Sequence, residues 1–93
     1  MTNFKTGEHT WIKCNAQPGP FPSEMAVEFE SVDGPISGFV QEKELRQIDD
    51  EWLIHAQIKA IHNDVLEVWV QGSFFSTNGL ANVTSDNTMT LAA

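Results

Sequence analysis

The sequence predicts an all-β fold, and three observations carry that prediction. Apolar and polar residues alternate at period two along several segments, the pattern of half-buried strands. Clusters of Asn, Asp, Gly and Pro cut those segments into short runs, as turns do. Helical spacing is confined to Glu42–Ile48, where Leu45 and Ile48 stand three apart.

The elements follow in chain order. Thr10 to Ala16 reads as a strand with Ile12, Cys14 and Ala16 inward and Trp11, Lys13 and Asn15 outward. Gln17 to Ser23 holds three prolines and reads as a rigid seven-residue surface loop. Met25, Val27 and Phe29 then alternate with Ala26, Glu28 and Glu30, and Asp33-Gly34 supplies a hairpin turn. With that pair central, Val27 faces Val40, Phe29 faces Gly38 and Ser31 faces Ile36. Pro35 cannot donate to a ladder, so this end is an edge or an irregular corner, and Gly38 marks a bend. Glu42–Ile48 is expected to make a turn or two of helix.

The longest alternation places Trp52, Ile54, Ala56, Ile58 and Ala60 on one face and His55, Gln57 and Lys59 on the other. Val65 to Gln71 continues it, with Leu66, Val68 and Val70 opposed to Glu67, Trp69 and Gln71. A three-residue loop at His62–Asp64 pairs Ile61 with Val65, Ala60 with Leu66, Ile58 with Val68 and Lys59 with Glu67. Both faces are then consistent, whereas a two-residue Asn63-Asp64 loop sets Ala60 against Glu67. Phe74 to Val83 reads as further strand interrupted at Asn78-Gly79. Together these make one domain over residues 1–93, with less ordered tails at 1–8 and 85–93. Five to six short antiparallel strands in so small a chain indicate an SH3-like barrel. An OB-fold barrel is the alternative, because the helical turn falls between the third and fourth strands.

Composition narrows the function. The chain has 93 residues, 41% of them hydrophobic, with 13 acidic and 5 basic side chains and a net charge of −8. That is core enough for a single domain, and a charge that opposes non-specific binding to nucleic acid or anionic membranes. No signal peptide or membrane-length apolar run is visible, so a cytoplasmic setting is expected. Cys14 is the single cysteine. It alternates inward, reads as a buried structural thiol, and leaves no Cys-rich zinc pattern. The acidic run Asp49-Asp50-Glu51 lacks the alternating ligands of a calcium loop and reads as a solvated connection. Asn82-Val83-Thr84 matches the glycosylation tripeptide but has no secretory context. No phosphate-binding glycine loop, nucleophile elbow or dinucleotide fingerprint occurs. The expectation is therefore no catalytic residue, no metal and no cofactor.

What stands out is the polar face of the long hairpin. In the derived register Trp69 faces Gln57 and Gln71 faces His55, while Trp11 points outward from the first strand. An indole among hydrogen-bonding side chains on an open sheet is a recognition platform. Trp11, His55, Gln57, Trp69, Gln71 and Phe75 are the candidate interaction surface, with the Pro-rich loop or C-terminal segment as the alternative cover for Trp69. Val68 to Phe75 is uncharged, aromatic and β-prone, so it must be either a central strand or the seam of a homodimer. A protein-interaction or self-assembly module is the expected function. A nucleic-acid-binding small barrel and an acidic partner or inhibitor of a basic protein are the alternatives. A proline-peptide reader is disfavoured, since such grooves rely on aromatic clusters rich in tyrosine and the chain has none.

Overall fold

Strand β1 (His9–Pro18) sets the architecture because its two halves belong to different sheets. In the computed structural model, which describes residues 4–75 and 77–89, His9–Cys14 pair antiparallel with β5 (Glu51–His62). The next four residues, Asn15–Pro18, pair with β2 (Glu24–Ser31) instead. The remaining strands are β3 (Gly34–Gln41), β4 (Leu45–Ile48), β6 (Val65–Trp69), β7 (Ser73–Phe74), β8 (Leu80–Thr84) and β9 (Thr88–Met89). They run in the order β7-β3-β2-β1-β5-β6-β8, with β4 also on β5 and β9 also on β1. The fold is all-β, a curled antiparallel half-barrel whose strand count exceeds the five to six expected.

The curl brings the inner faces of both arms onto one core. Ile12, Ile54, Ile58, Leu66, Val68 and Val83 from one arm meet Val27, Phe29, Ile36 and Val40 from the other. Each such side chain, fully buried, contributes roughly 1.5–3 kcal/mol of hydrophobic stabilisation. The Val32 amide donates to the Asn82 carbonyl at 2.8 Å, tying the tip of the β2–β3 hairpin to β8. No helix among the described residues is long and apolar enough to cross a membrane.

Both hairpins form, with registers that differ from the expected ones. In β2–β3 the turn is Val32-Asp33, so Ser31 opposes Gly34, Phe29 opposes Ile36 and Val27 opposes Gly38. Gly34 takes the positive φ of 117°, and the Ser31 hydroxyl accepts from the Asp33 amide at 3.1 Å while donating to the Gly34 carbonyl at 2.7 Å. The change is a slip of two residues, which keeps every side chain on its own face. Alternation is blind to such a slip, and turn chemistry decides it. Gly38 is less a bend than a crossing point, since β7 pairs there with β3.

In β5–β6 the turn is the two-residue Asn63-Asp64, with Asn63 at φ 57°, and His62 opposes Val65. Ala60 therefore meets Glu67, yet Ile58 still meets Val68, because a bulge between Ile58 and Ala60 absorbs Lys59. The bulge reconciles a short turn with a consistent inner face. β6 lies between β5 and β8, so Val68 and Trp69, which begin the uncharged run, belong to a central strand.

Two further expectations change. The helical turn at Glu42–Ile48 is a single 3-10 turn over Glu42–Glu44, still between the third and fourth strands, and Leu45–Ile48 form β4. β4 returns to β5 through Asp49-Asp50, whose φ values of 50° and 67° are those of a type I′ hairpin turn. The Pro-rich loop shortens to Gly19–Ser23, because Gln17 and Pro18 extend β1. Residues 4–8 contact the fold: Phe4 packs on the core, the Gly7 amide donates to the Ile58 carbonyl, and the Ile58 amide donates to the Glu8 carbonyl. At the other tail, Ser85–Asn87 form a 3-10 turn and β9 pairs with β1, while residues 1–3 and 90–93 of the expected tails lie outside the described residues.

Candidate interaction surface

Alternation along β1 and β5 sends one set of side chains to the outer face of the first sheet. The β1–β5 register sets Trp11 beside His55 and His9 beside Gln57, and the β5–β6 register sets Gln57 beside Trp69. One further strand out, Trp69 stands beside Leu80. The rings interact closely. His9 and His55 stack at 4.7 Å between centroids with an 18° interplanar angle, and Trp11 tilts against His55 at 5.3 Å. The Arg46 guanidinium lies over the Trp11 ring at 4.9 Å, a cation–π contact. Glu44 comes to 3.5 Å from His55 Nδ1, and the Gln57 amide donates to the Gly7 carbonyl at 3.3 Å.

Of the expected surface, Trp11, His55, Gln57 and Trp69 come together here, and Gln71 and Phe75 do not. β6 ends at Trp69, and β4 occupies the flank of β5 next to His55, so Glu44 takes the place foreseen for Gln71. Gln71 instead lines a groove with Gln41, Lys43 and Glu44. Phe75, 78% exposed, stands on the outer face of the other sheet edge-on to Phe39 at 5.8 Å. Beside it is a shallow groove of about 350 Å3 floored by Ala26 and Gln17. Trp69 is 38% exposed, and among the described residues the backbone at Gly79 runs beside its ring. A Cβ at Gly79 would fall 3.0 Å from the indole nitrogen, and Gly79 sits at φ 102°, so glycine is what lets the chain pass beside that ring.

His9, Glu44, Arg46 and Leu53 were not foreseen. His9 was legible, being two residues before Trp11 and so on the same face. Arg46 and Glu44 depend on β4 being a strand, which its sequence concealed. Leu53 is fully buried although it has the outward parity of His55, and it lies in register between Lys13 and Arg46. It gives this face an apolar floor.

Charge separates the surfaces. Outward on this face, Lys13, Arg46 and Lys59 are matched by Glu44, Glu51 and Glu67, with Lys13 bridged to Glu51 at 3.9 Å. The net charge of −8 therefore belongs to the rest of the molecule. Part of it gathers in Glu28, Glu30, Asp49 and Asp50, which line an open groove of about 400 Å3 together with Trp52 and the Lys13–Glu51 pair. Cys14 also lines this groove, and burial pushes its thiol up to about 12, which makes it a poor nucleophile. No group of three or more His, Cys, Asp or Glu side chains among the described residues is placed to hold a metal ion. Stacked rings, one amide and one guanidinium on an open sheet offer shape, π-faces and hydrogen bonds, which is the chemistry of recognition. Comparison with protein-family models, curated proteins and solved structures finds no match for this chain.

Proposed function

We propose that the chain is a non-catalytic interaction module that engages a protein through the outer face of β1, β5 and β6. The observation that carries this reading is the gathering of Trp11, His9, His55, Gln57 and Trp69 on one open sheet, with Leu80 49% exposed at its margin. Aromatic anchors beside adaptable polar groups are the residues on which interface energy concentrates. The test is affinity capture from extract of the source cells on immobilised wild type and on Trp69→Ala and His55→Ala variants. A protein retained by wild type and lost from both variants supports the module. Equal retention by all three removes this face from the function.

One observation favours a second reading, an acidic partner of a basic protein. Five carboxylates against the single cation Lys13 line the groove beside Trp52, and complementary fields speed encounter with a cationic surface. Replacing Glu28 and Glu30 by Gln separates the two: loss of capture there, with Trp69→Ala unaffected, selects the groove. Nucleic acid finds less support, since Lys13 is engaged with Glu51 and Arg46 with Trp11.

A further inference from the structure

The geometry points to a second copy of this chain as the occupant of the outer face, in a two-fold dimer that packs the Trp69–Leu80 step of one protomer against its partner. This inference deepens the interaction-module reading and rests on it. Two molecules carrying −8 each repel over most of their surfaces. The outer face of β1, β5 and β6 is where that repulsion is locally weakest, because Lys13 and Lys59 balance Glu51 and Glu67 there, as Arg46 balances Glu44 on the flank at β4. Physiological salt screens the carboxylates elsewhere over about 8–10 Å.

A two-fold axis makes such a balanced face self-complementary. The same patch meets itself, so a face without net charge meets another without net charge. The apolar content is also placed for it. Trp69 (38% exposed), Leu80 (49%) and Ile48 (36%) all point outward from this sheet, whereas none of them joins the core. Pairing through the margin of the sheet is disfavoured by comparison, since outward carbonyls of β8 are already taken. Leu80 accepts from the Thr77 hydroxyl at 2.6 Å and Asn82 accepts from the Val32 amide. Face-to-face packing leaves those bonds intact.

The experiment is sedimentation of the full chain from about 1 µM to about 1 mM, for wild type, Leu80→Glu, Trp69→Glu and Phe75→Glu, with circular dichroism confirming each fold. The expected result is a mass that climbs from monomer to dimer for wild type and Phe75→Glu. Leu80→Glu raises the dissociation constant tenfold or more, roughly the effect of losing one anchored contact. Leu80 lies on an exposed margin, so this variant stays informative should Trp69→Glu unfold. Raising salt from about 20 to about 200 mM strengthens the dimer, because it screens the net repulsion and leaves apolar packing in place. A monomer at every concentration overturns the inference, as does a dimer broken by Phe75→Glu but not Leu80→Glu. A dimer weakened by salt overturns it too, because attraction between opposite charges and not apolar packing then holds the copies together. A monomer that still captures a partner through Trp69 overturns self-docking alone. A monomer with no Trp69-dependent capture overturns the module as well.

Discussion

Replacing Gly38 by alanine tests how β7 closes over the barrel. A Cβ there would lie 2.3 Å from the Ser73 carbonyl oxygen, 2.6 Å from Phe74 Cδ1 and 2.8 Å from Phe74 Cα. Two of those atoms are backbone, so no rotamer relieves the clash and β7 must move by about 1 Å or detach. β7 is held to β3 by two residue pairs only, Gly38–Phe74 and Phe39–Ser73. Detachment removes about two ladder hydrogen bonds at roughly 0.5–1.5 kcal/mol each. It also withdraws Phe74 from the core and from its edge-on contact with Phe29 at 6.1 Å, for roughly 1.5–3 kcal/mol more. Alanine recovers about 0.5–1 kcal/mol of chain entropy, which leaves a net loss of about 2–5 kcal/mol. For a domain of this size that lowers Tm by roughly 10–40 °C. Thermal denaturation and hydrogen exchange read it together, because the Phe75 amide, bonded to the Ser37 carbonyl at 3.1 Å, loses protection as β7 leaves. Gly34→Ala is the contrast: nothing lies within 4 Å, so the cost of about 1–2 kcal/mol comes from its φ of 117° and Phe75 stays protected. A Gly38→Ala protein within about 0.5 kcal/mol of wild type, with Phe75 protected, refutes the reasoning.

Three further outcomes are expected. Trp69→Ala leaves the fold intact at a loss of about 1–3 kcal/mol, because the indole packs over the outer sheet rather than in the core; urea denaturation reads this, and a larger loss marks the ring as core. Cys14 reacts with iodoacetamide at about pH 8 slower than an exposed thiol by roughly 10²–10³, because burial pushes its thiol up from 9.0 to about 12. The sign makes the thiol a liability only in alkali: the unfolded chain ionises first, so stability falls as pH rises above 9.0, and a reaction rate equal to the unfolded protein's refutes the burial. Changing Asp49-Asp50 to Asn-Gly stabilises the β4–β5 hairpin by about 0.5–1 kcal/mol, since both positions hold positive φ; a lowered Tm contradicts the type I′ turn.

How much was legible depended on which physical signal each residue obeyed. Ile12, Ile54, Ile58, Leu66 and Val68 follow a period of two, and each is buried where alternation put it. Trp11, His55, Gln57 and Trp69 share a face for the same reason, so most of the candidate surface was readable before the fold was known. Gln71 and Phe75 were misplaced because alternation was carried beyond the end of β6, where pairing stops at Trp69. Leu45-Arg46-Gln47-Ile48 gives no strand signal of its own. It is a strand because β5 offers an unpaired flank and the two aspartates turn tightly enough to reach it.

The sequence by itself determined the all-β class, the inner and outer faces of its long strands, and the excess of acid over base. These follow from neighbours in the chain: side chains alternate, and charges can be counted. Tertiary structure decided the registers, where a bulge at Lys59 and a turn at Val32-Asp33 overrode the simplest pairing. It also decided which strands became neighbours, and with them the stack of His9 on His55, the guanidinium over Trp11 and the balance of charge on that face. Those contacts join residues dozens of positions apart. Only the closing of the sheet brings them within reach, and no local pattern encodes that step.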